Sequence, residues 1–136
     1  MATSYGGPSP AGAAFAAYRP PSASSGPYIV VEGPDGCLWF CQSHASAIGR
    51  LDPRTGETAE FPLPTRDAFP VGIAVGADGQ LWFAEQAANA VGRISVTGEI
   101  VEFPIDRPDT GPTGVVLGPD GHIWFSQVRG ALVRTP

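Results

Sequence analysis

The sequence predicts an all-β protein, a partial β-propeller of four-stranded blades with about three blades in the chain, and three observations carry that prediction. A segment of roughly 42 residues repeats along the chain. Each copy divides into four short apolar runs separated by turn residues. No stretch shows the periodicity of an amphipathic helix.

The repeat is anchored on one hexapeptide. Asp35-Gly36-Cys37-Leu38-Trp39-Phe40 returns as Asp78-Gly79-Gln80-Leu81-Trp82-Phe83 and as Asp120-Gly121-His122-Ile123-Trp124-Phe125. Other markers keep the period. Ile48-Gly49-Arg50 matches Val91-Gly92-Arg93 and, more loosely, Leu132-Val133-Arg134. Thr55-Gly56-Glu57 matches Thr97-Gly98-Glu99, and Glu60-Phe61-Pro62 matches Glu102-Phe103-Pro104. Pro70-Val71-Gly72-Ile73 matches Pro112-Thr113-Gly114-Val115, with Pro27-Tyr28-Ile29-Val30 as a worn first copy.

In the middle copy the four strands are expected over 71–75, 80–85, 90–95 and 99–105. The connections carry Asp-Gly and Thr-Gly, which suit tight turns and left-handed backbone. Neighbouring residues of a strand face opposite sides, so each Trp-Phe pair gives an aromatic to both faces of a blade. The blades are expected over 27–63 and 70–105, with an incomplete one over 112–134. Tyr18 precedes Pro27 by nine residues, as Phe61 precedes Pro70 and Phe103 precedes Pro112. Residues 13–19 therefore read as the outer strand of a preceding blade, and 1–12 as a flexible tail. Closed propellers usually have four to eight blades. Three blades need either a second copy, making a homodimer with a six-bladed ring, or further blades in a longer chain.

Composition narrows the function. The formal net charge is −5, and all eight basic residues are Arg. Phosphate neutralisation needs clustered cations, so a nucleic-acid partner is not expected. No apolar run reaches membrane-spanning length and no basic cluster suits an anionic membrane, so no membrane partner is expected either. No secretory signal is visible, and a cytoplasmic location is the expectation. Cys37 and Cys41 flank a strand and sit roughly 13 Å apart along it, too far to pair with each other. They read as two buried thiols.

The pattern P-x-G-[IV], G-x-D-G-x-L-W-F-x-E, [IV]-G-R and T-G-E-x-x-E-F-P resembles the streptogramin B lyase family, also called the virginiamycin B lyase family. The resemblance covers roughly residues 13–136. It implies a propeller, typically seven-bladed, that opens the lactone of a cyclic depsipeptide antibiotic by elimination, and hence a role in antibiotic resistance. It implies Mg2+ as cofactor and a His as general acid/base, standing after Pro in P-H-[GA]-I copies of the inner strand. Removing a proton beside a carbonyl needs a base tuned near the working pH and a cation for the developing charge. Here the matching positions hold Tyr28, Val71 and Thr113, and the positions two before them hold Gly26, Phe69 and Gly111. The family's W-F-x-E acid survives once, as Glu85, against Gln42 and Gln127.

Residues that recur in every repeat most simply serve the repeat. Trp39, Trp82 and Trp124 read as core, with ligand stacking as the alternative. Arg50, Arg93 and Arg134 read as inter-strand or inter-blade partners, and Asp35, Asp78 and Asp120 as turn formers. Residues that break the pattern are better site candidates. Glu85 is a candidate base or metal ligand, and His44 a candidate acid/base in the loop after the first Trp-Phe strand. Tyr28 and Thr113 are candidate ligand contacts at the mouth of the inner strands, for a small molecule or a peptide. Three function classes remain open: a lyase-like propeller, a non-catalytic binding module, and a lactonase-type hydrolase. The last would need carboxylates converging on a channel metal, for which Glu85 and Glu32 are the candidates.

Overall fold

The computed structural model describes residues 2–4 and 15–136. Among them the structure is strands, turns and one 3-10 turn, Ser43–Ala45. β1 (Ala2–Ser4) pairs antiparallel with β2 (Ala16–Tyr18). Blade 1 is β3 (Pro27–Glu32), β4 (Leu38–Gln42), β5 (Ala47–Leu51) and β6 (Thr58–Pro62), hydrogen-bonded in that order. Blade 2 repeats it as β7 (Pro70–Val75), β8 (Leu81–Glu85), β9 (Ala90–Ile94) and β10 (Ile100–Pro104). Blade 3 has three strands, β11 (Pro112–Leu117), β12 (Ile123–Gln127) and β13 (Val133–Arg134). The all-β architecture of antiparallel four-stranded units is the one the repeat predicts.

The N-terminus departs from expectation. Most of the tail expected over 1–12 lies outside the described residues, but Ala2–Ser4 is a strand, with Ala2 opposite Tyr18 and Ser4 opposite Ala16. An extended strand exposes unpaired amides along its edge, and pairing satisfies them. The outer strand expected over 13–19 is described from residue 15 onward, with Ala16–Tyr18 as β2.

The core lies between blades. Trp39, Cys37 and Cys41 of blade 1 pack with Ile73, Leu81, Phe83 and Ile94 of blade 2. Both cysteines are buried and unpaired with each other. Desolvation pushes the Cys41 thiol pKa well above its ordinary value, which keeps it inert. Trp39 and Phe61 stack with centroids 5.6 Å apart, and Trp82 and Phe103 repeat the pair at 5.7 Å. Trp residues thus face the following blade, and Phe83 and Phe125 the preceding one.

The Asp-Gly turn anchors each Trp. Gly36 sits at φ 79°, in the left-handed region that a side chain strains. Asp35 Oδ1 accepts from the Trp39 indole at 3.0 Å and the Cys37 amide at 3.1 Å, and Arg50 Nε reaches Oδ2 at 3.1 Å. Burial raises the Asp35 pKa, but these donors outweigh it and hold the carboxyl below its ordinary range. Asp120 repeats the bond to Trp124 at 2.9 Å.

Candidate functional site

The end of each blade where the inner strand begins carries the pattern-breaking residues. Tyr28, Val71 and Thr113 are the second residues of β3, β7 and β11. The segments following β4, β8 and β12 meet them there. Tyr28 is 64% exposed, Val71 is buried, and Thr113 is half-buried.

Two hydrogen bonds tie neighbouring blades at this end. Ser43 Oγ donates to the Pro70 carbonyl at 2.6 Å. One repeat later, Gln86 Nε2 donates to Thr113 Oγ1 at 3.1 Å. Thr113 Oγ1 in turn donates to the Gly111 carbonyl at 2.9 Å. Thr113 is thus a bridging hydroxyl whose donor is already engaged.

His44 lies in the 3-10 turn and is exposed, with its ring centroid 6.1 Å from that of Phe69. Its backbone amide donates to the Ser25 carbonyl at 2.9 Å. A Cβ at Gly26 would come within 2.7 Å of His44 Nδ1, so the glycine leaves the room the imidazole occupies. Among the described residues His44 is the imidazole at this end; His122 stands at the opposite end, before β12.

A cavity of about 540 Å3 opens nearby, lined by Gln86, Ala87, Asn89, Asp109, Val128 and Arg129. Arg129 closes one wall through an ion pair with Asp109 at 3.0 Å. Asn89 closes another: its Oδ1 accepts from the Thr110 amide at 2.7 Å and from Thr110 Oγ1 at 2.8 Å. The lining is polar, with donors and acceptors that suit amide and ester groups of a ligand.

Glu85 stands apart from this surface. It ends β8 with no solvent exposure, and its side chain folds across Gly92, whose added Cβ would lie 2.8 Å from Glu85 Oε2. There it meets Glu102 of β10. Burial first, then a hydrogen bond and repulsion from Glu102, push the Glu85 pKa up to about 9. It holds a proton at neutral pH, shared with Glu102, whose Oε1 accepts from Thr65 Oγ1 at 2.9 Å.

Blade 1 solves the same site without a shared proton. Gln42 Nε2 donates to Glu60 Oε1 at 2.7 Å, and Ser22 donates to both Glu60 oxygens at 2.7 Å. Gln42 and Glu85 are equivalent, as are Glu60 and Glu102, and Ser22 and Thr65. Sequence alone does not bring this pair together, because its partners lie on the second and fourth strands of a blade. The signal was the Glu of each Glu-Phe-Pro marker, which recurs with the W-F strand's fourth residue.

This geometry bears on two expectations. Glu32 ends β3 at the far end of its blade, paired with Leu38, whereas Glu85 ends β8 at the near end, paired with Pro70. The two carboxylates do not converge, which removes the metal site expected for a lactonase-type reading. A magnesium ion also fails the fit at Glu85. Mg2+ keeps several waters in an octahedral shell, and this carboxyl is fully buried against one other. Among the described residues no group of three or more His, Cys, Asp or Glu is placed to hold a metal.

The comparisons with known proteins give the lineage. The model of the virginiamycin B lyase family matches residues 7–134. The chain belongs to that family. A virginiamycin B lyase of Streptomyces coelicolor is 46% identical over 41 residues, covering 30% of this chain and 14% of that protein. The crystal structure of virginiamycin B lyase from Staphylococcus aureus superposes with a TM-score of 0.83 at 34% identity, over 91% of this chain and 45% of that one. A further streptogramin B lyase structure gives 0.71 at 31% identity, over 91% and 56%. A catalytically inactive variant of the S. aureus protein was solved with quinupristin. The chain spans less than half the length of the S. aureus relative. It is a streptogramin B lyase-like propeller segment. No helix among the described residues is long and apolar enough to cross a membrane.

Proposed function

We propose that this chain forms a ligand-binding wall of a streptogramin B lyase-type propeller, and that on its own it binds a cyclic depsipeptide without opening its lactone. One observation carries this reading: the inner-strand positions that hold the family's His carry Tyr28, Val71 and Thr113. Elimination needs a base beside the carbon next to the one that bears the ester oxygen, and a group that stabilises the charge on the carboxylate that leaves. Val71 offers neither. The Thr113 hydroxyl donates to a carbonyl, and Glu85 is buried, protonated and turned toward Glu102. His44 is the remaining acid/base candidate, and among the described residues no hydrogen bond or ion pair from a carboxylate orients its ring.

The same surface supports binding. Tyr28 presents an exposed ring, Thr113 and Gln86 a polar bridge, and the neighbouring cavity a set of amide-sized polar partners. Magnesium, if the intact lyase reaction is run, comes with ligands beyond those described. Two buried thiols that are not paired with each other are compatible with a reducing compartment, and they support the cytoplasmic location of this reading.

The test is a calorimetric titration of the purified chain with quinupristin, repeated with Thr113→Val and Tyr28→Ala. Saturable binding, weakened in both variants, is the expected result. No heat at millimolar ligand would remove the binding claim.

A further inference from the structure

Three copies of one turn lead into the inner strands. Ser24, Asp67 and Asp109 take a left-handed backbone, at φ 54°, 53° and 57°. The residues two later, Gly26, Phe69 and Gly111, take it again at 71°, 55° and 67°. The residue between them is buried in every copy, as Ser25, Ala68 and Thr110. Each turn is tied down in the same way. The amides of His44, Ala87 and Arg129 donate to the carbonyls of Ser25, Ala68 and Thr110 at 2.9, 3.0 and 2.8 Å. The backbone shape therefore belongs to the repeat. Glycine holds its last position without strain in blades 1 and 3. Phe69 holds it in blade 2, where a bulky side chain is an outlier that costs stability.

Burial does not offset that cost. Phe69 is 36% exposed, and the core between blades 1 and 2 is built without it. Blade 2 has a blade on each side, since β7 packs against both β3 and β11. The open ring thus stands at the end of the sheet and not on a blade face.

The repeat instead leaves room for one planar group over each blade. A Cβ at Gly26 would meet the His44 ring, and one at Gly111 would lie 3.2 Å from Arg129 Nη2. In blade 2 the exchange is reversed: Ala87 stands where His44 and Arg129 stand, and the planar group comes from Phe69. His44 and Phe69 are neighbours across the boundary of blades 1 and 2, with planes tilted by 35°, against 17° in the stacked Trp39–Phe61 pair. Both rings keep open surface.

We propose that Phe69 and His44 form a shelf on which an aromatic side chain of the depsipeptide ligand stacks. The inference rests on reading this end of the blades as the binding end. Strained residues persist where their surroundings fix them, and they collect at ligand clamps. Aromatic contacts need an open ring face, and they add to the gain from buried area. Gln86 joins the shelf to the polar bridge beside it: its amide donates to the Phe69 carbonyl at 3.1 Å, and its side chain donates to Thr113.

The test uses the two histidines of the protein, His44 at this end and His122 at the other. Proton NMR follows their Cε1 protons during titration with N-acetyl-phenylalanine methyl ester, with the leucine ester as the non-aromatic control and His122→Asn for assignment. The aromatic ester is expected to shift the His44 signal upfield and saturably and to leave His122 in place; the leucine ester is expected to shift neither. Phe69→Gly is expected to lose the shift and to melt no lower than the wild type, because it restores the glycine of the other repeats. Phe69→Tyr keeps the ring and is expected to keep the shift. In calorimetry Phe69→Gly is expected to weaken quinupristin at least ~10-fold. An unmoved His44, a shift that survives Phe69→Gly, or a clearly lower melt in that variant overturns the proposal. Quinupristin bound equally by wild type and Phe69→Gly overturns the shelf and leaves the binding reading standing. A His44 shift with the aromatic ester but no heat with quinupristin overturns that reading and leaves the shelf.

Discussion

Replacing Glu85 by Gln should stabilise this protein above neutral pH and remove most of the pH dependence of its stability. The Glu85 carboxyl has a folded pKa of about 9, against an ordinary value of 4.5. A group whose folded pKa is raised stabilises fully below its unfolded pKa. That contribution is lost as pH climbs toward the folded pKa, because the unfolded chain releases the proton first. The slope is about 1.4 kcal/mol per pH unit for one proton. Between pH 5 and pH 8 the wild type should therefore lose on the order of 2–4 kcal/mol, or about 6–12 °C in Tm for a domain of this size. In Glu85→Gln the amide donates to Glu102 as Gln42 donates to Glu60 at 2.7 Å, and no proton is needed. The assay is thermal unfolding followed by circular dichroism from pH 5 to pH 9. Near pH 5 the two proteins should melt together; at pH 8 the variant should melt higher. Parallel curves across the range would refute the shared proton.

Further outcomes follow from the same contacts. Gln42→Glu should import the pH dependence into blade 1, since Glu60 already accepts from Ser22, and its Tm should fall with rising pH more steeply than the wild type's. Asp35→Ala leaves the fully buried Trp39 indole without its acceptor and should cost about 1–3 kcal/mol in urea unfolding, whereas Asp35→Asn keeps an acceptor and should cost less. The Asp35 pKa is depressed, so its contribution is present above the ordinary carboxylate pKa and should be lost as pH falls below about 4. Gly49→Ala places a Cβ against the Phe40 ring and Gln42 Oε1, and overpacking of this kind should cost about 1–3 kcal/mol or block folding, read by soluble yield and melting.

The architecture was legible because a propeller is written as a period. One Asp-Gly turn, one Trp-Phe strand and one Gly-Arg strand recur, and the hydrogen-bond register of blades 1 and 2 follows from their spacing alone. The pairing of Ala2–Ser4 with β2 was not legible, since Met1 to Pro10 carries no apolar alternation to mark a strand. The site was legible only in part. Tyr28, His44 and Thr113 stand at one end of their blades, as the motif positions suggest. Glu85 does not share their surface, because Gly92 lets its side chain turn sideways along the sheet rather than out of its end. A residue's position in a motif gives the strand it ends. Which way its side chain turns depends on a glycine seven residues away and a carboxylate seventeen residues away, on other strands.

The measurement that bears most directly on the functional claim is lactone opening by the purified chain. Elimination yields an isomer of the substrate, whereas hydrolysis adds one water, so reversed-phase separation with mass detection distinguishes both from unreacted material. The 136-residue chain, incubated at high concentration with quinupristin and Mg2+, should leave the antibiotic unchanged in retention and mass. A new peak of unchanged mass, growing with time and lost in His44→Ala, would show that this chain carries out the elimination itself and would contradict the account.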